Sequence, residues 1–142
     1  MTPLFRLLLP HGIVGPARGR FVTFNRFCVD GPAYGGLIGS VADAALFLQA
    51  HLRGGAPLLA AESVAQMRTI HASGRQLDVG LGWFRRRREP ADPPHLEHLG
   101  GGGGFFNMMR IWPKHGAGVV VMGNATSYDH LRVADAVARA LA

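Results

Sequence analysis

Two histidines, His95 and His98, are the residues whose type and spacing first suggest metal chemistry. Imidazole nitrogens are common zinc ligands. The segment His95-Leu96-Glu97-His98 is predicted to be extended, however, and residues i and i+3 of a strand point to opposite faces. The spacing also differs from the His-Glu-x-x-His motif of zinc proteases, and no set of cysteines or carboxylates completes a site. We therefore expect neither a metal nor another cofactor.

A run of five glycines, Gly100 to Gly104, follows these histidines. A glycine-rich segment can cradle a phosphate when a helix begins directly after it. The residues from Phe105 onward instead predict a strand, which argues against a phosphate site. A flexible loop remains an alternative for the run taken by itself.

Four consecutive arginines, Arg85 to Arg88, belong to a chain of formal net charge +6 in which Lys114 is the single lysine. Such a charge would suit a nucleic-acid binder. No interleaved aromatic residues or known nucleic-acid motif accompany the run. We expect a solvated strand end in an arginine-rich sequence, and no nucleic-acid partner.

Cysteine content and hydropathy exclude further classes. Cys28 is the single cysteine, so no intrachain disulfide can form; we expect it to be a small buried apolar residue. The apolar segment Leu4 to Leu9 is interrupted by Arg6, is too short to span a membrane and has no cleavage site after it. The chain as written is predicted to have no signal peptide, no membrane association and a cytoplasmic location.

Helical periodicity appears in three places. Ser40 to Arg53 is predicted as a helix because Ser40 and Asp43 have capping-box spacing and apolar residues recur every three or four positions. A second helix is predicted from Ala61 to Ile70, between Pro57 and Gly74. A third, His130 to Leu141, has an apolar side formed by Leu131, Ala134, Val137, Ala138 and Leu141.

Extended segments lie between the second and third helices. We predict strands at Val79 to Arg86, His95 to Leu99, Phe105 to Trp112 and Gly118 to Met122, with the last buried on both faces. A turn is predicted around Pro90 to Pro94. Short links between consecutive strands favour antiparallel pairing, and the last helix can cover the sheet. The fold class is therefore α+β: an antiparallel sheet, with helices before it and a C-terminal helix packed on it. Residues 1–34 are predicted to be an irregular lead-in segment, because proline and glycine interrupt them repeatedly.

Four motifs, taken together and in order, resemble the β-lactamase-related serine hydrolase family, which includes class C β-lactamases, penicillin-binding proteins, D-aminopeptidases and related esterases. The motifs are Gly35-Gly36-Leu37-Ile38-Gly39-Ser40-Val41-Ala42-Asp43 running into Phe47, Gly80-Leu81-Gly82-Trp83, His98-Leu99-Gly100-Gly101 continuing to Phe105, and Gly118-Val119-Val120-Val121-Met122-Gly123-Asn124. The resemblance covers about residues 31–142. It implies that residues 35–142 are the C-terminal part of a β-lactamase-like domain, a partial β-lactamase/transpeptidase-like fold.

The resemblance also implies three catalytic motifs, of which this sequence contains one. Family enzymes use a serine activated by a lysine one helical turn later, together with a Tyr-x-Asn motif. None of the four serines is followed three residues later by lysine: the residues there are Asp43, Gln66, Gln76 and His130. The residues two positions after Tyr34 and Tyr128 are Gly36 and His130 rather than asparagine.

The third motif of the family, Lys-Thr-Gly or His-x-Gly, is matched by His98-Leu99-Gly100. By resemblance, His98 would orient substrate charge, Gly100 would let the ligand lie close to the strand, and the N–H of Gly101 would help hold an acyl oxyanion. Taken alone, His98 would more often be a structural histidine at a strand end than a catalytic one; the family context balances the two interpretations. Asp43 is expected to cap its helix, and Trp83 and Trp112 to line the core or the cleft.

These observations predict the C-terminal part of a serine hydrolase that acts on a small-molecule acyl substrate in the complete family and is inactive alone. The alternative is a non-catalytic module that binds itself or a partner. The family's N-terminal segment normally supplies neighbouring strands of the sheet, and without it an edge and an apolar face would be uncovered. A homo-oligomer or an N-terminal partner chain could cover both.

Overall fold

The computed structural model describes residues 2–28, 35–87 and 93–141. The predicted turn at Pro90 to Pro94 lies mostly outside this part, as do Tyr34 and Arg88. The chain divides into two compact units, residues 1–38 and 39–142.

The first unit contains more regular structure than the predicted irregular segment. A short helix, α1 (Thr2–Leu8), precedes strands β1 (Val14–Arg18) and β2 (Phe21–Phe24), which pair antiparallel with an irregularity in β1. The hydroxyl of Thr23 donates to the carbonyl of Pro16 at 2.6 Å, which ties the two strands together. Cys28 is exposed, so the prediction that it is buried was wrong. It lies beyond the end of β2, outside the hairpin.

Within residues 39–87 and 93–141, the second unit contains three α-helices and one antiparallel sheet. The helices are α2 (Val41–Leu52), α3 (Ala61–Arg68) and α4 (His130–Leu141). The sheet has six strands in chain order: β3 (Ala72–Ser73), β4 (Leu77–Val79), β5 (Phe84–Arg86), β6 (Leu96–Gly102), β7 (Phe105–Trp112) and β8 (Ala117–Gly123). This arrangement confirms the α+β class. It also confirms an antiparallel sheet that is followed by a C-terminal helix.

Local chemistry explains where α2 begins. The hydroxyl of Ser40 accepts from the backbone N–H of Asp43 at 3.2 Å, and the Asp43 carboxylate accepts from the backbone N–H of Ser40 at 2.8 Å. This reciprocal pair is the predicted capping box, and it satisfies amide groups that have no partner within the helix. The hydrogen bonds from the Ser40 amide and hydroxyl lower the pKa of Asp43.

Helices α2 and α4 cover opposite faces of the sheet. Ile111 of β7 packs in a core with Leu48 of α2, whereas the neighbouring Arg110 bonds to Asp135 of α4. Adjacent residues of a strand point to opposite faces, so the two helices lie on different sides. The core on the α2 side contains Leu48, Trp83, Leu96 and Ile111, with Leu52, Met67, Met109 and Val120 around it. On the other side, Ala134 and Ala138 of α4 are buried.

The segment predicted as one strand, Val79 to Arg86, is instead the hairpin of β4 and β5. The Gly80 N–H donates to the Trp83 carbonyl at 2.7 Å, and Gly82 has a φ of 76°, a left-handed conformation that favours glycine. The two glycines therefore turn the chain. Apolar residues continue across the turn, so the hydrophobic pattern did not indicate a break between two strands.

Strand β8 was predicted to be buried on both faces, and this was wrong. It pairs with β7 and is at the end of the sheet among the described strands. Its residues are half-buried or exposed, and Met122 is 40% exposed. Strand β8 is less buried than predicted because it lies at the edge of the sheet, a position that its own residues do not encode.

Candidate functional site

The candidate site is built on β6, which carries the predicted residues His98, Gly100 and Gly101. The first three of the five glycines after Leu99 thus lie within a strand. The chain turns at Gly103 and Gly104, and Gly104 has a φ of 89°. Seven consecutive residue pairs join β6 to β7, from Leu96↔Ile111 to Gly102↔Phe105. The flexible-loop interpretation therefore does not hold for the start of the run.

His98 is exposed and is held by the neighbouring hairpin. Its Nδ1 lies 2.7 Å from the carbonyl oxygen of Gly82, and its ring stacks on Phe84 with centroids 5.4 Å apart. His95, by contrast, is buried beside Trp112, with ring centroids 6.2 Å apart. The two histidines therefore face different surroundings. Within the described residues, no group of three or more His, Cys, Asp or Glu side chains could hold a metal ion.

The glycines of β6 differ in what surrounds them. A Cβ built on Gly101 would lie 2.8 Å from the ring of Phe106, and one on Gly102 would lie 2.7 Å from the ring of Phe105. These two glycines are therefore explained by aromatic packing within the hairpin. A Cβ on Gly100 would meet nothing within 4 Å. Because residues i and i+2 of a strand share a face, this open space lies on the same face as His98.

The edge of β6 next to these residues is open on the β5 side. Strand β5 pairs with β6 at one position, Phe84↔Glu97. In the described part of the chain, β6 from His98 to Gly102 is paired with β7 alone. Backbone groups of a strand alternate between its two neighbours, so every second residue here directs its N–H and C=O to the open edge. An extended or planar polar ligand could accept hydrogen bonds from these N–H groups and donate to these carbonyls.

A buried charge cluster fixes β6 beside this edge. Glu97 and Arg110 are both 0% exposed, and the Arg110 Nη2 donates to the Glu97 carboxylate at 2.9 Å. Arg86 donates to the other oxygen of the same carboxylate, and Arg110 reaches Asp135 at 3.3 Å. Burial alone would raise the pKa of Glu97, but the hydrogen bonds from Arg110 and Arg86 outweigh it and hold that pKa below its ordinary value.

This charge cluster was not expected from the sequence, although one signal was available. In an extended segment, Arg86 must point opposite to Arg85 and Arg87. Arg85 and Arg87 both donate to Asp78, at 2.9 Å and 2.9 Å, which lowers the pKa of Asp78 to about 2. The described members of the arginine run are therefore bonded to carboxylates, rather than being a freely solvated strand end.

The tryptophans lie where they were expected. Trp112 is 0% exposed and Trp83 is 2% exposed. Trp83 packs edge-on against His51, with ring centroids 5.3 Å apart. His51, a residue that the sequence did not single out, is 1% exposed, and within the described residues neither ring nitrogen has a hydrogen-bond partner. Burial lowers its pKa, and the charge of Arg68 lowers it further.

The described serines are placed without a basic partner of the expected kind. The Ser40 hydroxyl is engaged in the cap of α2, where it also donates to Asp43 at 2.7 Å. Ser63 lies in α3 and Ser73 in β3. The sequence contains no lysine three residues after any serine. The sequence thus offers no serine–lysine pair of the kind that the family's chemistry uses.

Comparison with known proteins agrees with this geometry. The family model described as Beta-lactamase matches residues 9–142. The chain therefore belongs to the beta-lactamase family, and the match begins earlier than the resemblance read from the motifs.

One solved structure shows the fold. The chain is similar to the octameric penicillin-binding protein homologue from Pyrococcus abyssi, with a TM-score of 0.76 and 21% sequence identity. The alignment covers 90% of this chain and 30% of that one, so this chain spans about a third of the length of its structural relative. A search among curated proteins returned no match. In the described residues, no helix combines the length and the apolar character that a membrane crossing requires.

Proposed function

We propose that β6 is one wall of an acyl-ligand cleft, formed by His98, Gly100 and Gly101, and that this 142-residue chain does not turn over substrate by itself. The observation that carries the first part is the open space at Gly100. Nothing within the described chain requires a glycine there, because a Cβ would meet no atom within 4 Å. A ligand lying against the strand would account for it.

The second part depends on the missing nucleophile. Acyl transfer of this type needs a hydroxyl whose proton is taken by an adjacent base. An oxyanion donor such as the Gly101 N–H contributes roughly 3–4 kcal/mol to transition-state stabilisation in a complete site. It can contribute only when a tetrahedral intermediate forms, and the printed sequence has no Ser-x-x-Lys to form one.

Turnover is tested with a chromogenic β-lactam and a nitrophenyl ester. We expect rates equal to those of buffer, and no labelling of any serine by a fluorophosphonate probe. If the wild-type chain turns over either substrate and His98→Ala does not, the proposed inactivity is refuted. The His71→Ala variant is the matched control, because His71 is also exposed but lies outside the site.

Ligand binding at the wall is tested separately by titrating the isotope-labelled chain with the same β-lactam. We expect amide shifts confined to β6, and their loss in Gly100→Val, since valine suits a strand and would fill the open space. Equal shifts in the wild type and in Gly100→Val would refute the proposed wall.

An alternative function, a self-associating module, is favoured by strand β8. Its sequence, Ala117 to Gly123, contains no charge or proline, which are the features that usually protect an exposed edge. Across a twofold axis, two such strands can pair antiparallel with each other. We expect light scattering to show a dimer or larger species.

A charged residue on the edge should disrupt this assembly. Met122→Lys introduces the charge at a position that is already 40% exposed. Leu81→Lys, at a position that is 50% exposed in the β4–β5 turn, is the control. A wild-type monomer, or equal dissociation by both variants, would refute pairing through β8.

A further inference from the structure

The hydrogen bond between His98 and Gly82 determines which nitrogen of the imidazole carries the proton. The Gly82 carbonyl oxygen lies 2.7 Å from Nδ1 of His98. A carbonyl oxygen can accept a hydrogen bond but cannot donate one, so Nδ1 must be the donor. In the neutral ring, the other nitrogen, Nε2, then has the lone pair.

We propose that the turn formed by residues 80–83 is a positioning element that holds neutral His98 in its Nδ1–H tautomer and so presents Nε2 as the hydrogen-bond acceptor of the site. Residues that fix a histidine in this way orient the ring and set its basicity in other sites. The ring plane of His98 is fixed as well, because it stacks on Phe84 at an interplanar angle of 17°.

The 80–83 turn can perform this role because it is anchored independently of His98. Its Leu81 N–H donates to the Met67 carbonyl at the end of α3, at 3.0 Å. Gly80 lies so close to that helix end that a Cβ would be 2.5 Å from the same carbonyl oxygen. Both contacts place the backbone of the turn against α3.

Trp83 provides the third anchor. Its side chain is 2% exposed and belongs to the core that also contains Leu48 of α2. Its ring packs edge-on against His51, which itself packs edge-on against Phe47 at 4.6 Å. The position of the Gly82 carbonyl is therefore connected to α2 through a buried aromatic contact.

The consequence for a ligand is specific. In this tautomer the neutral ring offers Nε2 as an acceptor, which can bind a hydroxyl or amide donor of a ligand. The inference rests on the proposed function for what the ligand is, but the tautomer itself is a property of the free chain.

The tautomer is measured by two-bond proton–nitrogen correlation NMR, at a pH well above the ordinary histidine pKa of about 6.5. The His98 signals are assigned by their absence in His98→Gln. We expect wild-type Nδ1 to show the shift of a protonated nitrogen and Nε2 that of a lone-pair nitrogen. The opposite pattern, or averaged shifts, would overturn the proposal.

Three variants test whether the turn is the cause. Trp83→Ala should give averaged His98 shifts, and Trp83→Phe, which keeps an aromatic ring, should restore the single tautomer. Trp112→Ala is the control, since Trp112 is equally buried but has its ring contacts with His95 and Arg110. If Trp83→Ala does not fold, Gly80→Ala displaces the same turn from α3. If the turn variants keep a single His98 tautomer, the 80–83 turn has no positioning role.

This measurement needs no ligand, so it separates the two proposals. A chain with the expected tautomer that binds no acyl compound would refute the proposed wall and leave the positioning role standing. A chain that binds the β-lactam but shows averaged His98 shifts would support the proposed wall and refute the positioning role.

Discussion

Glu97 and Arg110 lie directly opposite each other on β6 and β7, and both side chains are completely buried. Their charged groups meet at 2.9 Å in the interior of the domain, one residue before His98. Desolvation makes such a pair costly unless each charge is fully hydrogen-bonded. Here Arg86 and Asp135 complete the bonding, so the strand that carries the candidate site is held by electrostatic contacts as well as by its backbone.

Removing one charge of this pair should be strongly destabilising. We expect Glu97→Gln to lower the free energy of unfolding by about 3–5 kcal/mol, because the buried Arg110 loses its nearest counter-charge and keeps only the longer contact to the partly exposed Asp135. The double variant Glu97→Leu with Arg110→Met should lose less, since Arg86 and Asp135 are each 29% exposed and can be hydrated. Urea denaturation of the three proteins measures this. A double variant less stable than Glu97→Gln would contradict the explanation.

Gly100 and Gly101 should respond oppositely to alanine. Gly101→Ala should lower the free energy of unfolding by about 1–3 kcal/mol, because the new methyl group overpacks against Phe106. Gly100→Ala should leave thermal unfolding nearly unchanged, since its Cβ meets open space. Equal effects on the melting temperature would mean that the two glycines do not differ in the way described.

Acid should reduce stability through His51. Burial, with the Arg68 charge adding to it, lowers the pKa of His51 from 6.5 in the folded chain. The unfolded chain therefore binds a proton first as the pH falls, so stability declines below pH 6.5 until the folded-state pKa is passed. His51→Leu should flatten this part of the stability curve. The wild type, measured over the same pH range, is the reference, and an equal slope in His51→Leu would contradict this explanation.

The capping box of α2 should contribute about as much to the free energy of unfolding as caps do in other helices. Ser40→Ala removes the acceptor for the Asp43 amide and should cost roughly 1 kcal/mol of unfolding free energy. Ser63→Ala, within α3, has no capping hydrogen bond to lose and serves as the control. We expect chemical denaturation to give a lower free energy of unfolding for Ser40→Ala and an unchanged one for Ser63→Ala.

Much of the second unit could be predicted because local chemistry determines it. Helix α4 and strand β7 have the predicted bounds, and α2 begins at the predicted cap. The helix from Ala61 ends at Arg68, two residues earlier than predicted, since Thr69 is already extended. The family motifs were likewise sufficient for the family and fold, which the comparisons confirm.

The sequence by itself determined which residues are present: a His-x-Gly strand without a Ser-x-x-Lys, apolar periodicity at two spacings, and a capping box. Tertiary structure alone decided which of these residues meet. It divided Val79 to Arg86 at the 80–83 turn, paired Arg86 with the buried Glu97, and gave Gly101 an aromatic neighbour while leaving Gly100 open. The physical reason is that caps and periodicity act over one or two turns of chain, whereas burial and charge pairing depend on residues from distant strands.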